Sequence, residues 1–335
     1  MHEEIKKELA LALEARRVAC CGPIDPVVRG LGSEPPFSDS GSFVRYVSER
    51  DIAPWEAALD YESAISGWAR EDVYAYALDL WRRTMESVKG GLAEGNDMNG
   101  ITPAMAPEVQ KRFNDGTLLP LGALDIAAPA SLAILEYSNC SGVVVCIPTG
   151  GSAGVVPGAI LGAAKIMGRD EDDCVKALLL AGLMGVFMEK THYLGSYGCQ
   201  MEIGLAAGMA AAGLTHFLGG SADTACSAAV MSLQSLTGLL CDKIAGLVQV
   251  PCLSRNMTAC AVATVCANAA MAGVQTLVPL EEKLDSMMAI GKKLIDEGIN
   301  RMGDMGTPTG VRLAEEQKQR DMKLRADPAK NQRER

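Results

Sequence analysis

The sequence predicts a mainly α fold, a multi-helix body, on three observations. Hydrophobic residues make up 48% of the chain but aromatic residues only 4%, so small and flexible side chains (Ala, Gly, Leu, Met) fill the apolar positions. That mix suits helices packed closely, rather than a sandwich or barrel of β-branched and aromatic residues. From Gly158 to Gly273 the chain reads as consecutive helical segments punctuated by glycine. A single short β-branched run, Gly142–Pro148, qualifies as a strand.

The elements follow in order. Ile5, Leu9, Leu11, Leu13 and Val18 keep a helical spacing over Met1–Ala19. Cys20–Ser42, with Pro23, Pro26, Pro35 and Pro36, is an irregular connection. Helical periodicity resumes near Ala53 and is clearest over Asp72–Gly91. Gly91–Gly122 reads as a loop with one short helix, and Ile126–Leu135 is apolar again. Asp170–Lys190 opens on acidic residues suited to a helix N-terminus, and Ser221 can cap Ala222–Leu240. Asn256–Ala272 and Leu280–Arg301 complete the helices. The expected division is residues 1–52 as an N-terminal helix and connection, 53–313 as the main helical domain, and 314–335 as a charged tail.

A net charge of −10 and a pI near 5.0 exclude nucleic acid and anionic membrane surfaces as partners. Met1–Arg17 is too charged for a secretory signal. The apolar run Ala177–Met188 is short of the roughly 20 residues that span a bilayer. The 11 cysteines, an odd number placed largely in helix-like segments, point to a reducing cytoplasm with free thiols or metal ligation rather than disulfides. Cys174, Cys226, Cys260 and Cys266 fit apolar helix faces and read as small buried hydrophobes.

Three other cysteines differ. Cys199 lies in G-C-Q-M-E-I-G, Cys241 in G-L-L-C-D-K-I-A-G and Cys252 in V-Q-V-P-C-L-S-R-N. Each is expected at a helix boundary, with Cys241 ending the helix before it. Helix ends suit an anionic thiolate assembly. Three thiolates from separate segments suit a [4Fe-4S] cluster that leaves one iron open. The close C-x-x-C pairs of zinc sites are absent.

Around them stand the other candidates. In the turn Thr149, Gly150, Gly151, Ser152, successive glycines let backbone N–H groups approach an anion such as a carboxylate, and Ser152 is a polar contact and candidate base. His192 titrates near neutral pH and lies close to the first cysteine block. Arg255 can grip a carboxylate, and Asn256 can bind substrate or cap a helix. Glu202 and Asp242 adjoin the cysteines and can orient the loops around a cluster.

These blocks resemble the iron–sulfur-dependent L-serine dehydratases, in their α subunit or catalytic domain. Pro148-Thr-Gly-Gly-Ser-Ala-Gly-Val-Val-Pro157 is similar to the family's P-T-A-G-S-A-G-x-x-P. Gly198–Gly204 matches G-C-Q-x-E-x-G, and Cys241–Asn256 matches C-D-P-V-x-G-x-V-x-x-P-C…R-N. Gly306–Gly310 resembles the closing segment, so the likeness runs from about Tyr61 to Gly310.

The resemblance implies a helical catalytic domain with Cys199, Cys241 and Cys252 as ligands of a [4Fe-4S] cluster, and Asn139 lining the pocket. It implies a lyase eliminating water from a small amino or hydroxy acid, by default L-serine to pyruvate and ammonia. Lys190–Gly198 departs from the family pattern, as do Cys146 and Lys243. The altered block keeps open the elimination of sulfide, as in an L-cysteine desulfidase, or dehydration of another hydroxy acid. A non-catalytic cluster-binding subunit is the remaining alternative. No segment like the family's β domain is present, so either a separate β subunit or the N-terminal hundred residues take its place. A homo- or hetero-oligomer is expected.

Overall fold

The computed structural model describes residues 33–188, 197–299 and 306–326, and among them the fold is all helical, with twelve α-helices and no strand. They are α1 (Ser40–Arg50), α2 (Pro54–Ser66), α3 (Arg70–Gly91), α4 (Ala106–Asn114), α5 (Leu124–Asn139) and α6 (Val155–Met167). The second half holds α7 (Glu171–Met188), α8 (Cys199–Phe217), α9 (Ala222–Leu236), α10 (Cys252–Met271), α11 (Leu280–Asp296) and α12 (Pro308–Ala326).

The centre of the body is α8. It is apolar on every face and almost wholly buried, because α6, α7, α9 and α10 surround it. Its small side chains are what allow four neighbours to approach. A second close contact joins α5 to α6. A Cβ at Gly154, Gly158 or Gly162 would lie 2.2, 2.8 or 2.4 Å from the backbone oxygen of Ser131, Ala127 or Ala123. A stripe of three glycines one helical turn apart thus brings two backbones together.

Helix ends follow local chemistry. Ser221 caps α9, its hydroxyl accepting the Thr224 N–H, and Glu171, Asp172 and Asp173 place negative charge on the first turn of α7. Glu136 of α5 caps α4 from outside: its buried carboxylate accepts the N–H groups of Met105 and Ala106 at 2.7 and 2.9 Å. The stretch Gly150–Met167 is apolar enough by length and composition to cross a bilayer, yet 67% of it is buried inside this body.

Two expectations are corrected. Gly142–Pro148 is not a strand; it makes one isolated bridge at Cys146, and the Ser87 hydroxyl, from α3, donates to the Val143 carbonyl at 2.9 Å. A short β-branched run forms a ladder only where another strand offers an edge, and the described residues offer none. The second concerns Cys241. The helix preceding it ends at Leu236, where Thr237 turns extended and Gly238 takes φ +90°, so Cys241 sits in a loop. The expected N-terminal helix over Met1–Ala19 lies outside the described residues.

Candidate active site

Cys199 and Cys252 are the first residues of α8 and α10. Gly198, with φ +86°, ends the preceding backbone and starts α8; Pro251 does the same for α10. Both sulfurs therefore stand where helix dipoles favour negative charge. Cys241 comes from the loop between α9 and α10.

Buried amides hold that loop in place. Gln200, fully buried, donates to the Tyr197 and Met287 carbonyls at 3.1 and 3.0 Å and accepts the Gly238 N–H at 2.9 Å. Gln249, also buried, accepts the Ile101 N–H at 2.9 Å. Asn139, at the end of α5, donates to the Leu135 and Val248 carbonyls at 2.8 and 3.0 Å. Within the loop, Ile244–Gly246 forms one 3₁₀ turn with Ala245 and Gly246 at positive φ, and α12 packs against it.

Arg255, on the first turn of α10, meets all of this. Nη1 donates to Cys199 Sγ at 3.2 Å, to the Leu240 carbonyl at 2.8 Å and to Asp242 Oδ1 at 2.7 Å, while Nη2 reaches Asp242 Oδ2 at 3.2 Å. The pair is enclosed, with side chains 17% and 18% exposed. The three thiols influence one another directly. A hydrogen bond to Cys241, and then burial, push Cys199 up, and the same bond pulls Cys241 down. Burial pushes Cys252 up to about 11, with Glu202 adding to the rise and Lys243 opposing it.

The glycine-rich turn faces this group. Asn256 of α10, fully buried, donates to the Gly151 carbonyl at 2.8 Å and to the Cys252 carbonyl at 2.9 Å, and it accepts the Gly154 N–H at 3.2 Å. It is therefore an internal tie rather than a helix cap. Ser152 is fully buried, with its hydroxyl 3.0 Å from Thr149 Oγ1 and 3.3 Å from the Ile147 carbonyl. The Thr149 hydroxyl donates to Glu202 Oε1 at 3.0 Å, so its oxygen is left to accept from Ser152. A Cβ on Gly151 would come 3.4 Å from that same carboxylate oxygen. Thr149, Gly150 and Gly151 are half-buried on the outer side of Ser152.

Cys199, Cys241, Cys252, Thr149, Gly150, Gly151, Ser152, Asn139, Arg255 and Asn256 are thus gathered around the starts of α8 and α10. His192 lies outside the described residues. His216 is far along the chain, in the last turn of α8, with Nε2 3.6 Å from Asp173 Oδ1; burial lowers its pKa and the Asp173 carboxylate opposes that shift. Sequence reasoning gave no role to Gln200 or Gln249; the only signal was that each lies inside a cysteine block, Gln200 directly after Cys199.

The donor set fits an iron–sulfur cluster: three thiols on three segments, two of them at helix N-termini, with Arg255 and Lys243 as nearby positive charges. Among the described residues no three His, Cys, Asp or Glu side chains close around a single ion.

A sequence profile of the serine dehydratase alpha chain matches residues 15–306. The chain is 29% identical over 283 residues to the probable L-serine dehydratase alpha chain of Bacillus subtilis (strain 168), covering 83% of this chain and 94% of that one. It is 33% identical over 193 residues to the probable L-serine dehydratase alpha chain of Latilactobacillus sakei, covering 56% and 91%. With the L-serine dehydratase of Mycobacterium bovis it shares 34% over 267 residues, 76% of this chain but only 58% of that enzyme. The match and the motifs agree: the chain belongs to the serine dehydratase alpha chain family and is a lyase.

Proposed function

We propose that this chain is the catalytic α chain of a [4Fe-4S]-dependent dehydratase that converts L-serine to pyruvate and ammonia. The convergence of Cys199, Cys241 and Cys252 beside the glycine-rich turn carries the reading. These three residues would hold the cluster. Held by three thiolates, such a cluster would supply Lewis-acid chemistry for the departure of the β-hydroxyl.

The chain's own residues supply the rest. Thr149, Gly150 and Gly151 present backbone to the carboxylate end of the substrate. Glu202 takes the Cα proton. Thr149 orients that carboxylate, and Ser152, enclosed behind it, orients Thr149. The proton then leaves with the β-hydroxyl as water. Aminoacrylate remains, tautomerises to the imine and hydrolyses to pyruvate and ammonia. His192, on the segment leading into Cys199, is a second proton carrier by its chemistry and position.

The match spans 58% of the M. bovis enzyme but 94% of the B. subtilis alpha chain. A separate β subunit is therefore the proposed partner, in an oligomer. A reducing, cytoplasmic setting is proposed with it, on the 11 cysteines that lie largely in helix-like segments of the sequence. The test is an anaerobic panel of L-serine, L-cysteine and glycerate, with and without a β chain, scoring ammonia, sulfide and keto acid. Pyruvate and ammonia from L-serine support the reading. Sulfide from L-cysteine with no turnover of L-serine overturns the substrate, and no turnover of any compound overturns the catalytic role.

A further inference from the structure

Arg255 touches every segment that carries a cluster-ligand candidate. It sits three residues after Cys252 on α10, it hydrogen-bonds Cys199 Sγ at the start of α8, and it binds both neighbours of Cys241, the Leu240 carbonyl and the Asp242 carboxylate. The carboxylate fork with Asp242 is bidentate, which fixes the guanidinium plane and not just its charge. Its donors are turned inward, onto protein groups, and the pair is enclosed.

We propose that Arg255 is a positioning residue for the metal centre: with Asp242 it holds the three cysteine segments in register before metal is bound, and its charge on the Cys199 sulfur then raises the reduction potential of the loaded centre. The second half rests on the cluster reading above; the first half does not. Without Arg255 the loop over residues 237–243 keeps its anchor at Gln200 but loses the one at Leu240 and Asp242. A positive hydrogen-bond donor on a ligand sulfur stabilises the state that carries the extra electron.

Three variants separate the two effects. Arg255→Gln removes both charge and fork, Arg255→Lys keeps the charge but not the fork, and Asp242→Asn keeps the guanidinium but weakens the fork. In metal-free protein, hydrogen–deuterium exchange of peptides covering 237–248 rises in all three, while peptides from the middle of α8 and from α5 do not change. In reconstituted protein, iron is lost to a chelator about 10–100-fold more readily in Arg255→Gln, the usual effect of removing a group that supports a ligand. The midpoint potential falls in Arg255→Gln and stays near wild type in Arg255→Lys and Asp242→Asn, a pattern that a purely structural role would not produce.

Unchanged exchange over 237–248 in all three variants overturns the positioning role. A midpoint potential unchanged in Arg255→Gln overturns the electrostatic one. If wild-type protein takes up no cluster, the cluster reading falls with the electrostatic half, and exchange alone decides the positioning. If Arg255→Gln does not fold, exchange in Arg255→Lys and Asp242→Asn decides the positioning role, and Arg255→Met, uncharged and closer in volume to arginine, takes its place for the midpoint potential.

Discussion

Asn256 Nδ2 lies 2.8 Å from the Gly151 carbonyl oxygen, and its Oδ1 accepts the Gly154 N–H at 3.2 Å, so one side chain ties α10 to the glycine-rich turn. The Gly154 N–H is buried, and the Gly151 carbonyl belongs to a half-buried residue. Asn256→Ala should lower the unfolding free energy by about 1–3 kcal/mol for the groups left unpaired. Urea denaturation checks this. Turnover per folded molecule should fall too, because the turn is then free to shift away from Cys252. A denaturation midpoint equal to wild type would show that the tie has no energetic role.

Glu202 and Thr149 form the proposed proton path. Glu202→Gln should reduce turnover of L-serine by about 10²-fold or more, the ordinary scale of lost acid–base catalysis, with iron content unchanged. Thr149→Val should cost less, since it disorients the carboxylate without removing it. The double variant should be little worse than Glu202→Gln alone. A large further loss in the double variant would mean that the two act independently.

The glycine stripe on α6 makes a prediction for the fold away from the site. A Cβ at Gly162 would stand 2.4 Å from the Ala123 oxygen and 2.7 Å from Ala127 Cβ, and main chain cannot swing aside as a flexible side chain can. Gly162→Ala should therefore destabilise by about 1–3 kcal/mol although alanine is the better helix former. A stabilised variant in thermal or urea unfolding would show that α5 and α6 can separate without penalty.

His216 gives an acid limb to the stability curve. Burial holds its pKa in the folded chain below the unfolded value of about 6.5, and the Asp173 carboxylate only partly offsets this. The unfolded state then binds the proton first. Stability should be full above about pH 6.5 and fall as the pH is lowered through the window between the unfolded and the folded pKa. His216→Gln should flatten that part of the curve, as followed by denaturant midpoints across the range. An unchanged slope would assign the acid limb to other groups.

Much of the fold was legible because glycine and proline punctuate the helices. Cys199 and Cys252 were expected beside helix starts, and both open one, since Gly198 and Pro251 break the chain just before them. Ser221 was legible as a cap for the same local reason. What failed needed long-range information. Ala222–Leu240 looks uniformly helical, and the end at Leu236 depends on Gly238 being drawn to Gln200 of a different helix. The run Gly142–Pro148 has strand composition but no strand to join.

Within the site, residue types pointed to chemistry, yet their partners did not follow from spacing. Arg255 reads as a grip for a substrate carboxylate, and in the fold Nη1 donates to Asp242, Leu240 and Cys199. Ser152 reads as a polar contact and candidate base, and in the fold it is enclosed behind Thr149. Both outcomes depend on how loops and helices from distant parts of the chain close over one another.

The most direct measurement is iron and acid-labile sulfide per chain in anaerobically purified and reconstituted protein, for wild type and for Cys241→Ser, with visible spectra before and after air. About four of each per wild-type chain, bleached by air and lost in Cys241→Ser, is the result expected of an exposed four-iron cluster on these three cysteines. Wild-type protein that stays free of iron after thorough reconstitution, or a Cys241→Ser variant that keeps its full complement, would contradict it.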